Sequence, residues 1–249
     1  MWTEGEVIER IDWNDKLFSL KIKADIEPFI AGQFIKLSRI IDDKRIGRAY
    51  SIVNPPGGDY IEVLAVAVAD GILSPNLQQL KVGDTIDVST KAAGFMTLAE
   101  IPAAPVEGRQ LWLMATGTAV GPFISMLDTL EPWQRFESVA LVYGVREGKD
   151  LAYLEKLEQM KLQHPQQFKL LLSVTREAFP GASNSRISKG LESGEIERDA
   201  GITISPDKSQ VMLCGNPDMV RDVNEILLNI GLAKNLRRAP GQITVERYW

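Results

Sequence analysis

The sequence predicts two domains: an N-terminal antiparallel six-stranded β-barrel and a C-terminal α/β domain built on a parallel sheet. Three observations point there. The chain has 249 residues, enough for two cores. Its hydrophobic rhythm changes near residue 100. A Pro- and Ala-rich stretch, "EIPAAPVEGRQ", lies at the change. The expected boundaries are residues 1–100 for the barrel, 101–110 for a connector and 111–249 for the α/β domain.

In the first hundred residues the runs "GEVIERI", "LFSLKIK", "GQFIKLS", "RAYSIV", "YIEVLAVAV" and "DTIDVST" are short and mostly alternating, and turn residues separate them. Six antiparallel strands at this spacing favour a closed or nearly closed barrel, because closure removes exposed edges. One helix interrupts them at "SPNLQQL", with Ser74 expected as N-cap and Pro75 in the first helical position. Beyond the connector, "LWLMA", "SVALVYG", "FKLLLSV" and "QVMLCG" are nearly continuous apolar runs, as in strands buried on both faces. Helical stretches expected at 121–131, 150–162 and 217–231 alternate with them, which implies βαβ units. "GQITVE" supplies a last strand.

Composition narrows the function. A net charge of −5 argues against nucleic-acid binding through the whole surface. The single cysteine, Cys214, excludes an intramolecular disulfide and a cysteine-ligated iron–sulfur cluster within this chain. One histidine, His164, leaves no basis for a histidine-built metal or triad site. The opening "MWTEGEVIER" carries acidic residues and no long apolar run, and the longest uncharged stretch, 110–127, is broken by glycine and proline. A cytoplasmic protein with no membrane span is expected, and a monomer, since no surplus apolar face stands out.

Ligands of open parallel sheets collect at the carboxyl ends of the strands. After "LWLMA" comes Thr116-Gly117-Thr118-Ala119-Val120-Gly121-Pro122, a glycine-rich turn into a helix. Such a turn suits an anion, though tight strand–helix connections need glycine in any case. After "QVMLCG" come Cys214, Gly215, Asn216 and Pro217. Cys214 is either a buried small hydrophobe or a neutral, polarizable wall where a hydride moves. Val145 and Arg146 follow the second strand, and Arg176 and Arg186 follow the third. Two guanidiniums there would grip a phosphomonoester. At roughly 1.5–3 kcal/mol per charged hydrogen bond, they would favour a 2′-phosphorylated dinucleotide by about a hundredfold or more. Isolated loop arginines are otherwise solvated surface. In the barrel, "RAYS" crowds Arg48, Ala49, Tyr50 and Ser51 into one strand that stops at Asn54-Pro55-Pro56-Gly57-Gly58.

In order along the chain, Arg-x-Tyr-Ser, "GILS", "ATGTAVGP", "CGNP" and the terminal "RYW" resemble the ferredoxin–NADP reductase family of two-domain flavoenzymes over the full length. The resemblance implies FAD and NADP(H) as cofactors, with ferredoxin or flavodoxin as one-electron partner. It implies that Arg48 neutralises the FAD pyrophosphate, Tyr50 packs on the isoalloxazine and Ser51 hydrogen-bonds near flavin N5. Ala49 belongs to the same strand, and Leu64, Ala65, Val66 and Ala67 serve the ring or ribose with backbone groups. Ala67 stands where a small polar residue is expected. Ile72, Leu73 and Ser74 bring a helix start to the pyrophosphate, and Thr118 reaches both the flavin and the NADP domain. Tyr248 and Trp249 close the flavin site. NADP falls to Val145, Arg146, Arg176, Arg186, Cys214, Gly215, Asn216 and Asp222. Ser51, Cys214 and Glu246 are the expected catalytic residues, Glu246 assisting a proton. Lys234, Arg237 and Arg238 in "KNLRRAP" offer a basic face to an acidic partner. The competing readings are the reductase component of an oxygenase, a general NADPH diaphorase or flavin reductase, and a non-catalytic electron-transfer subunit.

Overall fold

Residues 1–106 and 108–247 are described by the computed structural model. Tyr248 and Trp249 lie outside the described residues, and with them the expected aromatic closure. Alternating runs in the first part of the chain form β1 (Trp2–Asp12), β2 (Leu17–Ala24), β3 (Phe34–Ile41), β4 (Lys44–Ser51), β5 (Ile61–Val66) and β6 (Thr85–Ser89). They pair antiparallel in the order β4-β3-β6-β1-β2-β5. The two end strands are joined past β4, where Ile52 bridges Val63 and the Val53 amide donates to Glu62 O at 2.8 Å. The sheet therefore curls toward closure, as expected for a small barrel. Phe18, Leu20, Ile22, Ile35, Leu37, Val63 and Val88 fill it. Each such side chain contributes roughly 1.5–3 kcal/mol of burial free energy.

The helix at "SPNLQQL" is α1 (Ser74–Gln78). Ser74 is not its N-cap. Leu73 holds that position in a helical conformation, and the Ser74 hydroxyl instead accepts from the Val68 amide at 3.1 Å. The hydroxyl pins the preceding loop rather than the helix start.

The apolar runs form β7 (Gln110–Thr116), β8 (Ser138–Val145), β9 (Phe168–Val174), β11 (Ser209–Gly215) and β12 (Ile243–Arg247), with a two-residue edge strand β10 (Ala182–Ser183). The sheet is parallel throughout, in the order β10-β9-β8-β7-β11-β12. Strand order reverses at β7, so the crevice outside β7 and β11 is the topological switch point where such sheets bind ligands. Trp112, Met114, Val142, Val211 and Leu213 form the core under the helices.

Helix boundaries differ from expectation in three places. The stretch expected at 121–131 is two helices, α2 (Gly121–Leu127) and α3 (Glu131–Arg135). The Thr129 hydroxyl donates to Met126 O at 2.7 Å and takes up a last-turn carbonyl of α2, and Pro132 opens α3. The stretch expected at 150–162 begins with a separate turn at Gly148–Asp150, and α4 (Leu154–Gln163) follows Tyr153 at φ 60°. Two six-residue helices, α5 (Ile187–Glu192) and α6 (Glu195–Ala200), occupy a stretch where no helix was expected. Helix α7 (Pro217–Asn229) stands where expected, ending at Asn229.

The chain divides into two compact units, residues 1–97 with 121–129, and 98–120 with 130–249. Helix α2 counts with the barrel because it is buried along its whole length and Ser125 donates to Asn54 O at 2.8 Å.

Candidate functional site

In the barrel unit, β4 carries the "RAYS" residues. Arg48 is exposed, its guanidinium donating to Gly47 O at 2.8 Å, and no carboxylate among the described residues pairs with it. A cation left unmatched on an exposed strand position suits an anionic ligand. Tyr50 packs against the barrel core, and burial pushes its phenol up to about 12, so it stays neutral. Ala49 is exposed and Ser51, the last strand residue, is buried. Leu64 and Ala65 are buried, with Val66 and Ala67 half-buried beside them. Antiparallel pairing aims alternate backbone groups of β5 at β2, as the Ala67 amide shows by donating to Lys16 O at 2.8 Å. The intervening groups, including those of Val66, face outward from an end strand of the sheet. Ile72 is exposed, Leu73 is buried and Ser74 is half-buried.

Asn54 is a structural centre that sequence reading took only as a strand stop. It is 4% exposed. Its amide donates to Tyr60 O at 2.9 Å and Pro55 O at 3.2 Å, and its Oδ1 accepts from the Glu62 amide at 2.7 Å. One side chain thus closes the Pro-Pro-Gly-Gly turn and fixes where Arg48, Tyr50 and Ser51 end relative to β5. The signal was an asparagine directly after a strand and before proline.

In the α/β unit the strand ends beside the switch point are locked together. Gly215 has φ +131°, and a Cβ there would lie 2.2 Å from Thr116 Oγ1. That same Oγ1 accepts from the Asn216 amide at 2.7 Å. Thr116, absent from the expected site residues, therefore ties the loop after β7 to the loop after β11. Asn216 Oδ1 caps α7, accepting from Asp218 and Met219 amides at 2.9 and 3.3 Å. Thr118 is half-buried in the turn Gly117–Val120. Asp222 sits further along α7, ion-paired with Arg221 at 2.9 Å.

Strand register sets Ala115, Cys214 and Glu246 in one row across β7, β11 and β12. Cys214 is buried. Glu246 has a buried Oε2 without a hydrogen-bond partner, and burial pushes its carboxyl up to about 7. An orphaned carboxyl oxygen beside a thiol, at the carboxyl end of a parallel sheet, fits a site that receives a polar ligand.

The loops that carry Arg146 and Arg176 also meet. Val145 is buried at the end of β8, and its carbonyl accepts from the Thr175 amide at 3.2 Å. The Arg176 amide donates to Arg146 O at 2.9 Å, which sets these two residues side by side. Arg186 lies at the start of α5, ten residues on. All three arginines are exposed, and among the described residues none is in an ion pair. Lys234, Arg237 and Arg238 are exposed on a turn held by mutual Leu236–Ala239 backbone bonds of 3.0 and 2.9 Å. Buried Asn235 anchors that turn to Glu100 O and Thr244 at 2.9 and 3.2 Å, and Arg237 reaches Glu100 at 3.7 Å.

Two family models match the chain: an oxidoreductase FAD-binding domain over residues 6–95 and an oxidoreductase NAD-binding domain over residues 113–225. Fold and site thus define a flavin- and nicotinamide-dependent oxidoreductase. A flavodoxin/ferredoxin–NADP reductase of Escherichia coli (strain K12) is 42% identical over 249 residues, covering 100% of this chain and 99% of that protein. A ferredoxin–NADP reductase of Pseudomonas aeruginosa is 34% identical over 99% of this chain and 97% of its own length. The crystal structure of a ferredoxin NADP+ reductase from Neisseria gonorrhoeae with bound FAD and NADP superposes with a TM-score of 0.91 at 32% identity, covering 100% and 99% of the two chains. The chain belongs to the flavodoxin/ferredoxin–NADP reductase family. The FAD/NAD-binding domain of a Vibrio cholerae nitric oxide dioxygenase, 18% identical with a TM-score of 0.77 over 99% and 98% of the two chains, shares the fold.

Proposed function

We propose that this chain is an FAD-dependent reductase that exchanges a hydride with NADP(H) and single electrons with ferredoxin or flavodoxin. FAD supplies the chemistry that joins two-electron to one-electron transfer, and the chain supplies binding, positioning and protons. Arg48 meets the pyrophosphate as an unpaired cation. Tyr50, neutral and half-buried, lies against the ring, and Ser51 donates near N5. The outward backbone groups of Leu64 and Val66, in the stretch Leu64 to Ala67, serve the ring or ribose, and residues 72–74 lie at the pyrophosphate. On the nicotinamide side, Cys214 offers a neutral wall, and Gly215 beside it, with no Cβ to strike Thr116, keeps the strand end close-packed where the nicotinamide binds. Asn216 holds the start of α7, with Asp222 farther along it, and Val145 sets the base of the loop carrying Arg146. Glu246, its carboxyl raised to about 7, both holds and releases a proton near neutral pH.

The observation that carries the NADP assignment is the set of three exposed arginines at the strand ends, none in an ion pair among the described residues. Solvated guanidiniums outside ion pairs are free to form charge-assisted, bidentate bonds to a phosphomonoester. Replacing Arg176 and Arg186 together with glutamine is expected to raise the KM for NADPH about a hundredfold. Steady-state ferricyanide reduction measures it; a KM that stays within twofold of the parent rejects the assignment. A docking face at Lys234, Arg237 and Arg238, a monomeric state and a cytoplasmic location complete the proposal. Among the described residues, no helix is long and apolar enough to cross a membrane.

A further inference from the structure

The segment 181–186 that leads to Arg186 is thin. It contains the two-residue strand β10, held to β9 by the pairs Ala182–Leu172 and Ser183–Ser173. Gly181, Asn184 and Arg186 are exposed. Beneath it lies a cavity of about 110 Å³ lined by Leu171, Ser183, Ser185, Arg186, Glu195 and Asp199, among others. Apolar packing therefore does little to place this segment, and hydrogen bonds must.

Those bonds converge on one carboxylate. Ser183 Oγ donates to Glu195 Oε1 at 2.6 Å, and the Ser185 side chain bonds the same carboxylate. Ser183 Oγ also accepts from the Ser185 amide at 3.0 Å, and Ser173 Oγ donates to Ser185 O at 2.6 Å. Glu195 is itself fixed at the first turn of α6, after Gly194 in a left-handed conformation at φ 69°. We infer that Glu195 is a positioning residue for phosphate recognition: through Ser183 and Ser185 it holds the 181–186 segment so that Arg186 stands where the dinucleotide phosphomonoester binds. The inference rests on the assignment of Arg186 made above.

Glu195 acts through the serines that hold the segment, so its loss separates from general damage by what it spares. The test compares E195A, E195Q, S183A and R186Q in the FAD-loaded protein. Calorimetric titration with 2′,5′-ADP reads phosphate recognition, and steady-state kinetics with NADPH and NADH read turnover. E195A is expected to weaken 2′,5′-ADP binding and raise the KM for NADPH about three- to tenfold, with kcat and the KM for NADH unchanged. E195Q keeps an amide oxygen as acceptor and should stay within about twofold of the parent. Should E195A fail to fold, S183A, which removes a single donor, should still weaken 2′,5′-ADP about two- to threefold. Parental 2′,5′-ADP binding in E195A alongside weakened binding in R186Q would overturn the inference and leave the Arg186 assignment standing. An equal loss with NADPH and NADH would overturn it as general damage. Parental binding in R186Q would remove the Arg186 assignment and this inference together.

Discussion

Glu246 makes the sharpest residue-scale statement. Its carboxyl is shifted from 4.5 to about 7 by burial, and no hydrogen bond offsets the loss of water at Oε2. The folded chain therefore holds this proton more tightly than the unfolded one. Below pH 4.5 both states are protonated and the group costs nothing. Between 4.5 and about 7 the unfolded chain ionises first, so stability falls as pH rises through that window, and the penalty is complete above it. Glu246→Gln carries no such penalty. Thermal melts of the apoprotein from pH 4 to 8 should show its Tm advantage over the parent growing across the window and then levelling. Parallel curves would show that the side chain is not buried as described.

At the scale of elements, the "RAYS" strand depends on the turn that follows it. Asn54 makes three side-chain hydrogen bonds there with almost no exposure. Asn54→Ala leaves the Glu62 amide and the Tyr60 carbonyl without those bonds, at a cost of about 2–4 kcal/mol. Chemical denaturation should show a loss of that size, and FAD affinity should fall with it; stability within 0.5 kcal/mol would remove Asn54 from the role. Elements with a strong period were legible in the sequence. All six barrel strands and the long parallel strands announced themselves by alternation or by continuous apolar runs. The short helices α5 and α6 did not, because six residues in a Gly- and Ser-rich stretch hold less than two turns of pattern. Site legibility followed the same physics. Arg48 stood out as a cation within a strand, and Arg176, Gly215 and Cys214 by residue type at strand ends. Asn54 left a local signal, an asparagine between a strand and a proline, whereas Thr116 and Glu195 act through hydrogen bonds to other loops, of which local pattern carries no trace.

Taken as a whole molecule, a chain of net charge −5 needs a local basic face to meet an acidic electron carrier. The turn with Lys234, Arg237 and Arg238 is exposed and anchored by buried Asn235, so its charges are presented at a defined place. Replacing Arg237 and Arg238 with glutamate should lower kcat/KM for flavodoxin or ferredoxin reduction about tenfold or more at low salt, the gap narrowing as salt screens it. Ferricyanide reduction should be unchanged. Equal loss with both acceptors would place the defect inside the molecule rather than at a docking face.

The central claim is that the N-terminal unit holds FAD and the C-terminal unit delivers reducing equivalents from NADPH in preference to NADH. Rapid anaerobic mixing of the purified protein with each nucleotide, followed by visible absorbance, tests both parts at once. A yellow protein should be bleached by NADPH, with NADH at the same subsaturating concentration bleaching it roughly a hundredfold more slowly. A colourless protein that takes up no added FAD, or equal rates of bleaching by the two nucleotides, would contradict it.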